Sequence, residues 1–211
     1  MTRVQEANED DWRKLGHLIK YIRETKDLVL TLGASGDNVL RWWVDGSHTV
    51  HPNMRGHTGG GLSMGLGYPV SQSNKQKLNT RSSTESELVA VDDLMPTVLW
   101  TRQFLIKQGF EVVDNVVYQD NQAAILLEKN GRASSGKRTK HINTRFFFIT
   151  DRIGKKEVTV KWCPTEDMTA DFWTKPLQGV GFRRMRDLVM GVAAQGLPRV
   201  SKSKKKKAEK G

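Results

Sequence analysis

The chain has 211 residues, 37% of them hydrophobic, which is enough for one well-cored domain with appendages and too little for two full ones. Lys and Arg number 34 against 23 Asp and Glu, and the formal net charge of +11 points to a polyanionic partner, nucleic acid ahead of an anionic membrane surface. The single cysteine, Cys163, excludes an internal disulfide and a cysteine zinc cage, and the polar N-terminal MTRVQEANEDDWRK has no apolar signal-peptide core.

In chain order, residues 9–26 read as a helix, because Trp12, Leu15, Leu18, Ile19 and Ile22 follow helical spacing behind Asp10 and Asp11. Leu28 to Leu32 reads as a short strand, and Gly33 to Asn38 as a turn-rich break. Val39 to Val44, Thr58 to Gly67 and Tyr68 to Ser73 form an expected three-strand meander, with a Pro52-containing loop after the first strand. Ser83 to Gln108 is a long helix, kinked or interrupted at Pro96. The β-branched run Val112 to Tyr118 predicts a central strand, and Asn121 to Lys129 a short helix. A basic loop, Gly131 to Lys140, leads to a helix over His141 to Arg152 and a strand over Glu157 to Trp162. Pro164 opens a helix to about Thr174, and Phe182 to Val192 is amphipathic. SKSKKKKAEKG is low-complexity and expected to be disordered. This order of elements predicts an α/β domain built on a mixed five-stranded sheet.

Four acids stand where structure alone would not put them. Asp45 and Asp120 each end an apolar strand, Glu87 lies near the start of the long helix, and Asp171 lies in TADFWTKPL. An acid at the C-terminal edge of a strand can project into a crevice above the sheet. Converging carboxylates repel one another unless a cation neutralises them, and Mg²⁺ prefers such oxygen donors. Each acid also has an ordinary explanation: Asp120 as a helix N-cap, Asp171 as a solvated helix acid. Glu85 and Glu87 stand roughly 200° apart on a helix, so only one can join the others. Ser82-Ser83-Thr84-Glu85 reads as a capping box in which Glu85 reaches back to the Ser82 amide. A frame starting at Thr84 would reverse the two roles.

VDGSH at 44–48, ESELVAV at 85–91 and YQDNQAAI at 118–125 resemble the motifs of ribonucleases H. TKHINTRFFFITDRI and CPTEDMTADFWTKPL resemble the C-terminal signature of copia-type LTR retrotransposon Pol polyproteins, and the similarity runs over about residues 10–192. The resemblance implies a ribonuclease H-like fold and a metal-dependent endonuclease that cuts the RNA strand of RNA–DNA hybrids. Asp45, Glu87, Asp120 and Asp171 would carry Mg²⁺, with Mn²⁺ as an alternative. Gly46, Ser83, Thr84 and Gln122 would contact the hybrid, joined by the basic-loop residues Arg132, Lys137, Arg138 and Lys140. The same resemblance divides the chain into a polymerase-connection remnant (1–38), the ribonuclease H domain (39–177), a C-terminal helix (178–198) and a basic tail (199–211). It makes the polymerase domain of the same polyprotein a second partner, and the location intracellular, in a cytoplasmic virus-like particle or the nucleus.

Two departures stand out. The loop of cellular ribonucleases H that carries a His before the last helix is here short and His-free, over Trp162 to Asp167, with His141 as a substitute. The basic hybrid-gripping helix of some relatives has no clear counterpart. Asp92-Asp93 resembles a polymerase motif, but it falls in a helix where that motif needs a hairpin. Rival readings are an integrase or transposase of similar fold, a catalytically inactive hybrid-binding or structural remnant, and a membrane binder using the Lys tail. A late Glu, lost acids or an aromatic-anchored amphipathic helix beside the tail would favour each in turn.

Overall fold

Leu40, Trp42 and Val44 alternate along one strand onto one face, while Trp43 and Asp45 point to the other, so both faces of this strand must be covered. The computed structural model, which describes residues 6–131 and 143–193, supplies both covers. The strand is β2, Val39–Ser47. It pairs antiparallel with β3, His57–Ser63, which pairs antiparallel with β5, Val70–Lys75. On its other side β2 runs parallel to β6, Asp114–Gln119, and β6 parallel to β7, Thr159–Trp162. The order β5-β3-β2-β6-β7, flanked by helices, is the mixed five-stranded sheet that the ribonuclease H resemblance implies.

The long helix α2, Ser83–Lys107, covers one face with Leu88, Ala90, Val91, Leu94, Met95 and Val98 buried. It runs through Pro96, so the helix is not interrupted there. Pro96 is exposed, so the carbonyl it cannot pair faces a side where water can reach it. Helices α3 (Gln122–Asn130) and α4 (Asn143–Gly154) join α2 on this side. The opposite face buries Trp43, Tyr68, Val116, Tyr118, Cys163, Met168 and Ala170. It is closed by a 3₁₀ turn, Thr165–Asp167, and the short helix α5, Asp171–Thr174, followed by α6, Gly179–Val189. The single helix expected after Pro164 is therefore broken. Met168 leaves helical geometry (ψ 84°), so Met168 and Ala170 both become buried.

Leu28 to Leu32 is not a strand. The strand is the next pair, Gly33–Ala34 (β1), which pairs with Gly65–Leu66 (β4). Leu28 to Leu32 has β-favouring side chains, but the edge partner is taken by β1, and propensity without a partner forms no strand. The compact units divide at Leu30/Thr31, so residues 31–38 belong with the larger unit. The first unit holds α1, Glu9–Glu24, capped by Asn8 and Asp11 in a reciprocal box. Its apolar stripe of Trp12, Leu15, Leu18, Ile19 and Ile22 is exposed. No described helix is long and apolar enough to cross a membrane.

Candidate active site

Trp43 of β2 is in register with Tyr118 of β6, and the two strands are parallel. Asp45 and Asp120 each follow two residues later, so the pairing carries both carboxylates to the same end of the sheet. Glu87, on the opening turns of α2, reaches the same end. Carboxylate oxygens of Asp45, Glu87 and Asp120 lie within 4.8 Å of one another, the group among the described residues that could hold a metal ion.

Each carboxylate is oriented by a neighbour. Glu87 Oε2 accepts from the Gly46 backbone N–H at 3.1 Å. A Cβ on Gly46 would stand 2.4 Å from the Ser86 carbonyl oxygen, so the glycine lets α2 lie directly on β2. Gly46 is buried, and its N–H serves the carboxylate set. Asp45 Oδ2 accepts from the Thr174 hydroxyl. Thr174 comes this close because β3 offers Gly59 there, where a Cβ would stand 2.4 Å from Thr174 Cγ2. Asp120 Oδ2 accepts from Thr165 Oγ1 at 3.0 Å. Asp120 is not the α3 N-cap, since Asn121 takes that task with its side chain on the Ala124 N–H, and Asp120 is free for the site.

Asp171 is brought beside the cluster and stands outside the 4.8 Å set. Its Oδ1 lies 2.7 Å from Lys175 Nζ, one helical turn on. Burial pushes the Asp45, Glu87 and Asp171 carboxyls above their ordinary range, and neighbouring acids add to the rise. The Thr174 hydroxyl and Lys175 oppose it at Asp45, and Lys175 opposes it at Asp171. Buried Asp45 and Glu87, with half-buried Asp120 beside them, form a hard-oxygen donor set suited to a divalent cation.

Glu85 has a different task. Ser82 caps α2 by accepting from the Glu85 N–H, while Glu85 Oε2 accepts from the Arg81 N–H at 2.6 Å. The capping is real, but Glu85 reaches Arg81 where the sequence predicts Ser82. Asp92 and Asp93 lie within α2 and pair with Arg145 at 2.6 and 3.5 Å, as a helical position requires. Ser83 and Gln122 are exposed at the starts of α2 and α3, and Thr84 is half-buried. Arg132, Lys137, Arg138, Lys140, His141 and the basic tail lie outside the described residues. Thr165, Thr174 and Lys175 were not singled out by the sequence. The available signal was the spacing of Thr174 and Lys175, three and four residues beyond Asp171, which puts them on its helical face.

The chain is 29% identical over 187 residues to the retrovirus-related Pol polyprotein from transposon TNT 1-94 of Nicotiana tabacum, covering 88% of this chain and 14% of the relative. Its homologues are Pol polyproteins of copia-type plant transposons. The chain is also 29% identical over 177 residues to the retrovirus-related Pol polyprotein from transposon RE2 of Arabidopsis thaliana, covering 83% of this chain and 12% of that one. With the polyprotein from transposon RE1, also of Arabidopsis thaliana, it shares 34% identity over 118 residues, covering 55% of this chain and 8% of that one. It thus spans about a seventh or less of these relatives' length. No family model matches the chain. Among solved structures, the chain is similar to LC11-RNase H1, isolated from compost, with TM-score 0.48 and 12% identity, covering 64% of this chain and 91% of that one. It is also similar to an N-terminal RNase H domain from Mycobacterium tuberculosis, with TM-score 0.41 and 10% identity, covering 71% of this chain and 96% of that one.

Proposed function

We propose that this Pol-related chain is a ribonuclease H that hydrolyses the RNA strand of RNA–DNA hybrids during reverse transcription. The observation that carries the reading is the convergence of Asp45, Glu87 and Asp120 within 4.8 Å at one end of the mixed sheet, with Asp171 beside them. These four would hold Mg²⁺ or Mn²⁺; two such ions, when bound, supply an activated water and stabilise the leaving oxygen of a phosphodiester.

The chain's own residues do the positioning. The Gly46 N–H, the Thr174 hydroxyl and the Thr165 hydroxyl fix the rotamers of Glu87, Asp45 and Asp120, so little ordering remains for the moment of binding. The exposed starts of α2 and α3 present Ser83, Thr84 and Gln122 as donors for a hybrid, in which the 2′-hydroxyl marks the RNA strand. The net charge of +11 draws the polyanion in. Residues 1–30, the smaller compact unit, would connect to the polymerase, which makes that domain a partner, within a cytoplasmic particle or the nucleus.

The test is incubation of the purified chain with end-labelled RNA–DNA hybrid, with Mg²⁺ or with EDTA. Cleavage confined to the RNA strand, dependent on Mg²⁺ and abolished by Asp45→Asn while hybrid binding persists, is the expected result. Cleavage at near wild-type rate by Asp45→Asn would overturn the assignment.

A further inference from the structure

Lys175 sits where a metal-binding site should tolerate no cation of the protein's own. It caps α5, donating its N–H to the Asp171 carbonyl, and its Nζ lies 2.7 Å from the Asp171 carboxylate. Its backbone is held extended (ψ 142°), as the residue before Pro176 must be, so only the side chain is free to move. Burial works against its charge, but Asp171, Asp45 and Asp120 together more than compensate, so the ammonium is shared electrostatically by three of the four acids. The Lys175 side chain is 40% exposed and can swing toward solvent. Thr174, next to it, holds Asp45. One dipeptide therefore engages two of the carboxylates. The other three acids form the 4.8 Å set, and Asp171 is the one committed elsewhere.

We propose that Lys175 meters the fourth carboxylate, so that a first divalent cation binds Asp45, Glu87 and Asp120, and a second binds only as Lys175 releases Asp171. The inference rests on the metal-dependent reading above and deepens it. It makes Lys175 a positioning residue that acts through Asp171. An ion pair whose cation reaches solvent can exchange with a divalent cation, yet it subtracts from the affinity of whatever displaces it.

Binding of Mn²⁺ to the full chain, followed by the electron paramagnetic resonance signal of the free ion, tests this without recourse to cleavage. Lys175→Met should bind the second Mn²⁺ about tenfold more tightly than wild type, a coupling of ~1.4 kcal/mol, with the first ion changed much less. Lys155→Met, in the turn after α4, removes the same charge from an exposed pair with Asp151 and should leave both ions as in wild type. Equal second-ion affinity in wild type and Lys175→Met would overturn the proposal, reducing the pair to an ordinary helix contact, and leave the ribonuclease H reading standing. Tightening by Lys155→Met to the same degree would also overturn it, since net charge would then suffice. Absence of Mn²⁺ binding by wild type and variant alike would overturn both this proposal and the metal-dependent reading.

Discussion

Glu87→Gln should make the protein more stable while removing its activity. Glu87 is 6% exposed, and its carboxyl is held well above the usual range by burial first and by Asp45 and Asp120 next. Two like charges 4.8 Å apart repel by roughly 3.5 kcal/mol at an effective dielectric of about 20, and Glu87 faces two such neighbours. Gln keeps an oxygen for the Gly46 N–H and drops the charge. After screening by solvent and Lys175, a net gain of about 2 kcal/mol is expected, worth roughly 4–8 °C in Tm for a domain of this size. The gain should depend on pH in a set direction. A carboxyl whose folded pKa is raised stabilises the fold while protonated, and that stability is lost as pH rises through the folded pKa. The difference between variant and wild type should therefore be widest above the folded pKa and close as pH falls below the ordinary value of 4.5. Thermal melts with EDTA across this range measure it. A variant that melts below wild type at neutral pH, or a gap that does not change with pH, would refute the electrostatic reasoning.

Glu85→Gln should cost at most about 1 kcal/mol, like a weakened cap, and cleave hybrid at near wild-type rate, as urea unfolding and the cleavage assay would show. Gly46→Ala would place a methyl 2.4 Å from the Ser86 carbonyl, so the α2 backbone must move. A loss of about 1–3 kcal/mol in urea unfolding is expected, with slowed cleavage because Glu87 moves with the helix. Cys163 is buried, and its thiol is pushed up to about 12 by burial first and by Asp167, Asp120 and Asp171 after it. Iodoacetamide at mildly alkaline pH should leave it unmodified in the folded chain and alkylate it in urea, as intact mass would report.

Much of the site was legible because its acids interrupt apolar strands. Asp45 and Asp120 stand out in RWWVDGS and VVYQDNQ because each follows an apolar run; a turn or cap accounts for either alone, and it is their joint order with Glu87 that points to a site. Glu87 against Glu85 was undecidable from helix geometry alone, and the Gly46 N–H, far off in sequence, separates them. The spacing behind Asp171 puts Thr174 on the same helical face, but nothing in TADFWTKPL announces that a β2 carboxylate lies over its hydroxyl. The break at Met168 depended on which side chains the second face needed to bury, which periodicity within one segment does not encode. The single strand expected over Thr58 to Gly67 is two, β3 and β4 in different sheets, and the purpose of Gly59 and Gly61 appears only when α5 is laid against them.

The contact between Thr174 and Asp45 closes a loop of 129 residues. Contacts of such separation carry the largest loop-closure entropy and form late in folding. The carboxylate constellation is therefore a property of the finished sheet, and a partly unfolded chain carries its acids scattered, with no shared charge to draw a metal. The capacity to draw a divalent cation is in this way tied to completion of the fold.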